Sequence, residues 1–140
     1  MCGHFGYITK YPSKKSKQRR DYFYNMLLWD TLRGVDSTGM FLQGRNENFL
    51  YKRALDGYDF CRLHHVKSKL VNIDASVAMG HNRAATKGTV NDSNAHPFIH
   101  GDIVMTHNGT IENFYALKRH DESNIAVDSY LICKRIAEGE

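Results

Sequence analysis

The stretch GHNRAATKG occupies residues 80–88 and overlaps the end of a short apolar run, residues 76–81, that is typical of a β-strand. A second strand-like run, residues 102–107, leads into the polar tripeptide HNG at residues 107–109. Polar residues and glycines at strand ends are common places for sites built on a rigid scaffold. The two segments therefore indicate a sheet-based domain whose functional residues follow its strands.

Outward from these segments, apolar periodicity predicts a mixture of strands and helices. Further strands are expected at residues 2–9, 39–42 and 49–55. Helices are expected at residues 21–32, 59–70, 111–118 and 125–136. The regular alternation of a doubly wound nucleotide fold is missing, and so is a glycine-rich phosphate motif. This order favours a layered α/β or α+β domain in which antiparallel sheet packs beside helices.

The composition is that of one globular domain over residues 1–140. Apolar residues make up 41% and charged residues 24% of the chain, which is too apolar for a disordered segment. No run approaches the roughly 20 apolar residues that cross a bilayer, so we expect a cytoplasmic protein with no membrane partner. Three widely spaced cysteines argue against a disulfide framework or a zinc ribbon.

Residues 10–20 carry a concentrated positive charge. The net charge of the chain is +4, and residues 14–20 read KKSKQRR. Pro12, two serines and the lack of apolar periodicity predict a basic surface loop. A nucleic-acid contact is the alternative, and its affinity would fall steeply with salt. The solvated loop is favoured, so nucleic acid is not expected as a partner.

Cys2 is a candidate nucleophile because of its position. If Met1 is removed, Cys2 carries a free α-amine beside its own thiol. An α-amine titrates at about 7.7–8.0 and a thiol at about 8.5, so proton transfer between them is matched near neutral pH. Terminal nucleophiles of this type need no separate histidine. Position 2 alone leaves open a cysteine without a chemical role.

Five segments in order resemble class II glutamine amidotransferase domains, which use an N-terminal nucleophile (Ntn). The segments are Cys2-Gly3, RGVDSTG (33–39), GHNRAATKG (80–88), NAHPF (94–98) and HNGTIEN (107–113), and Asp128 follows them. Each is weak alone, but five in this order are specific. The resemblance implies an α+β Ntn-hydrolase fold, an αββα sandwich with antiparallel sheets. It also implies hydrolysis of glutamine at its side-chain amide and delivery of ammonia to an acceptor.

The resemblance assigns the chemistry to Cys2, Asn108 and Gly109. Cys2 would attack the amide carbon of glutamine, form a thioester and release ammonia, after which water regenerates the enzyme. The Asn108 side-chain amide and the Gly109 backbone N–H match the oxyanion hole of the family. Taken alone, an Asn-Gly pair also predicts a hairpin turn.

The resemblance assigns substrate binding to Arg83, Thr86 and Asp128. The planar donor fork of Arg83 suits bidentate recognition of the glutamine α-carboxylate, to which Thr86 would add a contact. Asp128 would pair with the α-ammonium group. Arg33 and Asp36 are implied to support the nucleophile strand without touching substrate. By residue type alone, an arginine and a helix aspartate are more often solvated.

No cofactor and no metal are expected. Four histidines match no standard ligand spacing, and structural roles are favoured for them: His81, His96, His100 and His107. Cys61 and Cys133 stand in apolar helical context, where inert core thiols are expected.

Two departures accompany the matches. Ala84 stands where the family often has Trp, at a position that can shape the loop closing over glutamine. The chain ends soon after the helix with Asp128, so we expect a fold shortened at its C-terminus. Unpaired strands would need an acceptor or synthase partner protein, a homo-oligomer or a reduced topology. The alternative function is a catalytically silent relative that acts as a glutamine-binding or regulatory module.

Overall fold

The computed structural model describes residues 2–10 and 16–140, which form antiparallel sheets and helices. The strands are β1 (Gly3–Ile8), β2 (Ser37–Gln43), β3 (Asn48–Arg53), β4 (Val77–Arg83), β5 (Phe98–His100) and β6 (Ile103–Met105). The helices are α1 (Ser16–Trp29), α2 (Gly57–Arg62), α3 (His64–Asn72), α4 (Phe114–Leu117) and α5 (Asp128–Ala137). Short 3₁₀ turns cover Asp30–Arg33 and His120–Glu122.

The larger sheet has the strand order β1-β4-β2-β3, and every neighbouring pair is antiparallel. Strand β4 is therefore central, with Gly80 opposite Phe5 on one side and Met40 on the other. Because side chains alternate along a strand, one face of this sheet turns its apolar residues toward α1, α2 and α3. The core formed there includes Phe23, Leu27, Met40, Leu42, Phe60, Val66, Leu70 and Ala78.

The smaller sheet is the hairpin of β5 and β6, and α5 packs against it. Phe98, Val127 and Cys133 form the buried centre of this layer. The molecule is thus mixed α/β with antiparallel sheets, as the sequence predicts. In the ranges that the structure describes, no helix combines the length and the apolarity needed to cross a membrane.

The predicted basic loop of residues 10–20 is wrong for residues 16–20, which begin helix α1. Residues 11–15 lie outside the described part of the chain. Lys, Gln and Arg are good helix formers, and their stems can pack on apolar surface. Arg19 does so, since its guanidinium lies 5.9 Å from the centre of the Tyr7 ring and 3.9 Å from Asp74.

Several other boundaries differ from the sequence prediction. The helix expected at 59–70 is two helices, α2 and α3, because Leu63 adopts an extended backbone between them. Strand β4 runs on through Arg83 because β1 and β2 pair with it on both sides. Strand β5 was not predicted. Helix α4 begins only at Phe114, and the backbone N–H of Ile111 before it donates to the Asp128 carboxylate.

Candidate active site

Cys2 lies just before β1, where three separate segments meet. Its backbone carbonyl accepts hydrogen bonds from Arg33 Nε at 3.3 Å and from Asn108 Nδ2 at 3.0 Å. Its thiol lies against the backbone of Ala84, at 3.2 Å from both the amide nitrogen and the carbonyl oxygen. The structure therefore brings together the expected nucleophile, one supporting arginine and the expected oxyanion-hole asparagine.

Strand pairing explains this convergence. Gly3 of β1 is opposite Asn82 of β4, which places Cys2 beside the residues that follow β4. Ser37 of β2 is opposite Arg83, so the loop before β2 reaches the same place. A side chain at Gly34 would come within 2.4 Å of the Arg83 backbone and 2.7 Å of the Ala84 nitrogen. Only glycine permits this close approach.

The segment that carries Asn108 and Gly109 is anchored on both sides. His107 Nδ1 lies 3.0 Å from Ser129 Oγ on α5. Asn108 Oδ1 lies 3.1 Å from His81 Nε2 on β4. Gly109 has φ +157°, and a side chain there would come within 2.7 Å of the His107 ring. Backbone conformation and crowding both restrict position 109 to glycine.

Asp36 contacts main chain, as Arg33 does. Its Oδ2 accepts a hydrogen bond from the Ala85 nitrogen at 2.7 Å, and its own backbone N–H donates to the Arg83 carbonyl at 3.0 Å. The loop 33–36 thus holds the chain immediately before and after Ala84. Both side chains bind backbone groups next to Cys2 and Ala84, and their supporting role stays a prediction.

Arg83 is buried, with 3% of its surface exposed. Its guanidinium donates to the carbonyl oxygens of Lys87 and, at 3.5 Å, Thr89. Burial lowers the pKa of this guanidinium below its ordinary value. Three nearby groups act in the opposite direction: Cys2, Asp36 and Asp128. The expected carboxylate-binding cation is therefore inside the site, with donors already bound to its own loop.

Asp128 is the first residue of α5 and is 4% exposed. Its two carboxylate oxygens accept hydrogen bonds from the backbone nitrogens of Ile111 at 2.8 Å and Ser129 at 2.9 Å. A carboxylate at this end of a helix also interacts favourably with the helix dipole. Asp128 thus fixes the start of α5 to the segment that follows Asn108 and Gly109.

The loop after β4 is tied to the same segment. Thr86 Oγ1 lies 3.4 Å from Thr110 Oγ1, and Lys87 Nζ donates to the Ile111 carbonyl at 2.5 Å. These contacts join residues 84–89 to residues 108–111 across the site. All eight expected site residues consequently lie on segments that are hydrogen-bonded to one another.

Comparison with known proteins identifies the family. A family model described as class-II glutamine amidotransferases matches residues 63–132, half of the 140-residue chain. The chain belongs to the class-II glutamine amidotransferases. It is similar to glutamine–fructose-6-phosphate aminotransferases (isomerizing) of Acidithiobacillus ferridurans, at 34% identity over 130 residues, and of Pyrococcus horikoshii, at 37% over 121 residues.

These alignments cover 88% and 85% of this chain but 19% of each relative. The chain therefore spans about a fifth of the length of the curated relatives it matches.

In this amidotransferase chain, a pair of histidines lies behind the site. The rings of His81 and His96 stack with centres 4.1 Å apart, and both residues are buried. Burial lowers the pKa of His81 to about 4 and of His96 to about 2, so both rings are neutral at pH 7. Within residues 2–10 and 16–140, no group of His, Cys, Asp and Glu side chains is arranged to hold a metal ion.

The other two thiols are buried, as the sequence predicts. Cys61 and Cys133 have no exposed surface, and burial raises the pKa of Cys61 to about 12. Cys2 is partly exposed. Of the thiols in this amidotransferase chain, Cys2 is the accessible one.

Sequence reasoning missed three contributors to the site. Ala84 acts through its backbone, which leaves no side-chain signal. Lys87 and His81 stood inside the GHNRAATKG segment, but their partners are far along the chain, at Ile111 and Asn108. The GHNRAATKG segment was the only sequence signal for these residues. Which distant residue each of them contacts could be learned only from the fold.

Proposed function

We propose that this chain hydrolyses the side-chain amide of glutamine with Cys2 as the N-terminal nucleophile. The observation that carries the proposal is the meeting of the Cys2 thiol, the Ala84 N–H and the Asn108 amide. The backbone of Ala84 holds the Cys2 sulfur in place, and Asn108 donates to the carbonyl oxygen of the same residue. Family membership supports glutamine as the substrate.

The reaction begins once Met1 has been removed. The α-amine of Cys2 takes the thiol proton, and the thiolate attacks the amide carbon of glutamine. The oxyanion that forms is stabilised by Asn108 Nδ2 and the Gly109 N–H. The carbon–nitrogen bond then breaks, the α-ammonium returns its proton to the leaving nitrogen, and ammonia departs. Water attacks the thioester with the amine as base, which releases glutamate and restores the thiol.

Substrate recognition falls to Arg83, Thr86 and Asp128. Arg83 would bind the α-carboxylate, Thr86 would add a contact to it, and Asp128 would bind the α-ammonium group. Both charged side chains are bonded to this chain's own backbone, so glutamine has to replace or share those bonds. Loop 84–89, which supplies the carbonyls bound by Arg83, is the segment that has to shift. Arg33 and Asp36 hold the backbone around Cys2 and Ala84.

The proposal includes an αββα arrangement for the domain at 1–140. Two contacts support it: His81 of β4 stacks on His96, just before β5, and Lys52 Nζ of β3 lies 4.3 Å from the centre of the Phe98 ring of β5. Helices α1–α3 would form one outer layer and α5 the other.

The relatives are named for transfer to fructose 6-phosphate. Ammonia made here would accordingly pass to an acceptor bound by a partner protein or by further chain.

The test combines mass spectrometry with an ammonia assay on the purified chain. We expect a mass without Met1 and glutamine-dependent ammonia release that Cys2→Ala abolishes. Cys61→Ala is the matched control, because it removes a buried thiol elsewhere. A chain freed of Met1 that releases no more ammonia than Cys2→Ala contradicts the proposal. Calorimetric binding of glutamine by such a chain would support the silent glutamine-binding module instead.

A further inference from the structure

His81 lies directly behind Asn108, on the side away from Cys2. It belongs to central strand β4 and has no exposed surface. Its Nε2 is 3.1 Å from Asn108 Oδ1, and Asn108 Nδ2 is 3.0 Å from the Cys2 carbonyl oxygen. The asparagine amide therefore spans the gap between a buried ring and the nucleophile.

These two distances determine which atom donates in each hydrogen bond. The Cys2 carbonyl can only accept, so the amide nitrogen of Asn108 has to face it. Asn108 Oδ1 then faces His81 and can only accept, so Nε2 of His81 has to carry a proton. Rotation of the amide by 180° would place its oxygen toward Cys2. It would also place two donors, Nδ2 and Nε2, against each other.

The His81 ring is held in place by its surroundings. It stacks on His96, whose ring in turn packs at 4.6 Å from the Phe98 ring of β5. Burial keeps the ring neutral at pH 7 by lowering its pKa to about 4, against the opposing effect of the hydrogen bond to Asn108. The titratable or charged groups around it are His4, Arg83, His96 and His107.

We propose that His81 is a positioning residue, whose Nε2–H locks the Asn108 amide with its nitrogen toward the reacting carbon. The proposal rests on the proposed function, because Asn108 is the side-chain donor of the oxyanion hole there. Without this lock, the amide can present its oxygen to the developing negative charge. Such an orientation opposes the transition state and leaves glutamine binding untouched.

The first experiment needs no turnover. The side-chain NH₂ resonances of Asn108 are followed by ¹⁵N NMR in the wild-type chain, in His81→Leu and in His96→Leu. We expect His81→Leu to shift or broaden the two NH₂ resonances, because the Asn108 amide oxygen loses the N–H that donates to it. His96→Leu is the matched control: it removes the stacked ring but no hydrogen bond to Asn108. An Asn108 pair that responds equally to both variants overturns the proposal.

The second experiment measures kinetics. His81→Leu is expected to lower kcat about 10-fold or more, part of the loss seen when an oxyanion donor is removed, with KM nearly unchanged. His81→Gln, which keeps a donor of similar reach, should recover most of this loss. Alkylation of Cys2 by iodoacetamide needs no oxyanion hole, so Cys2 in His81→Leu should be alkylated at the wild-type rate. A rise in KM with kcat unchanged contradicts the proposal.

A double-mutant cycle separates positioning from packing. In an Asn108→Ala background, His81→Leu should cost no further activity, because the group it orients is gone. Additive losses would mean that His81 acts only through the core. If His81→Leu fails to fold, His81→Asn, which is too short to reach Asn108, is compared with His81→Gln. A wild-type chain without glutaminase activity refutes the proposed function alone, and the NMR comparison still decides the role of His81.

Discussion

The two ends of the site are built differently. At the reactive end, Cys2 is partly exposed and Asn108 is exposed, and each is held by a few hydrogen bonds. At the recognition end, Arg83 and Asp128 are 3% and 4% exposed and are bonded to backbone groups of their own domain. At the first end, we therefore expect the proposed chemistry to be separable from the stability of the fold. At the second, the groups assigned to glutamine also stabilise the structure.

The largest expected effect is that of Cys2→Ala. Removing the nucleophile should lower ammonia release by at least about 1,000-fold, because no other thiol is accessible. The melting temperature should stay at the wild-type value, since the lost contacts are weak sulfur hydrogen bonds. Ammonia release and thermal unfolding are measured on the same preparation. A large loss of stability would break the contrast between the two ends.

Asn108→Ala should have the next largest effect. We expect kcat to fall about 100- to 1,000-fold, the usual loss for one oxyanion donor. The unfolding free energy should fall by only about 1 kcal/mol, because the buried His81 Nε2–H loses its acceptor while the rest of the side chain is exposed. Steady-state kinetics with glutamine measure the loss. Thr110→Ala serves as a nearby control, since among the described residues its hydroxyl has one hydrogen-bond partner, Thr86 Oγ1. A stability loss comparable to that of a buried substitution would argue against a separable reactive end.

Arg83→Lys should affect both properties together. Lysine cannot reproduce the planar donor fork, so KM for glutamine should rise at least about 10-fold. Losing one or two buried, charge-assisted hydrogen bonds should also lower the unfolding free energy by about 2 kcal/mol. Urea denaturation and kinetics provide the measurements. Arg53→Lys, at a surface ion pair with Asp92, is the matched control and should change neither. A rise in KM without any loss of stability would separate recognition from folding.

A separate expected effect is on the pH dependence of stability, and it comes from the histidine pair behind the site. The pKa values of His81 and His96 in the folded chain, about 4 and about 2, lie below the ordinary value of about 6.5. Below pH 6.5, His81 and His96 thus bind protons in the unfolded chain but stay neutral in the folded chain. The unfolding free energy should be level above pH 6.5 and fall below it, by about 1.4 kcal/mol per pH unit for each histidine.

Urea denaturation between pH 5 and 7.5 measures this slope. His96→Leu should roughly halve it, because one of the two titrating groups is removed. The hydrogen bond from Lys134 helps to hold the pKa of Glu122 at about 2, so the contribution of that carboxylate is lost only below pH 4.5, outside this window. An unfolding free energy that stays level down to pH 5 would mean that His81 and His96 are accessible to water.

Much of the site could be predicted from the sequence because its residues stand in short, ordered segments. The motifs around Cys2, Arg33, Arg83 and Asn108 identified the family and the residues that meet in space. The mixture of helices with antiparallel strands followed from local periodicity, and so did the burial of Cys61 and Cys133. The catalytic and binding roles of these residues stay predictions until activity is measured.

Other features required the tertiary structure because they depend on contacts between distant parts of the chain. Helix α1 includes residues 16–20, where Arg19 packs on Tyr7, and β4 extends through Arg83, which pairs with Ser37 of β2. The sequence by itself determined which residues are candidates for the site. Only the fold decided that Arg83 and Asp128 are buried and bonded internally. It also placed His81, 27 positions away, against Asn108, since burial and hydrogen-bond geometry arise only when the strands and loops assemble.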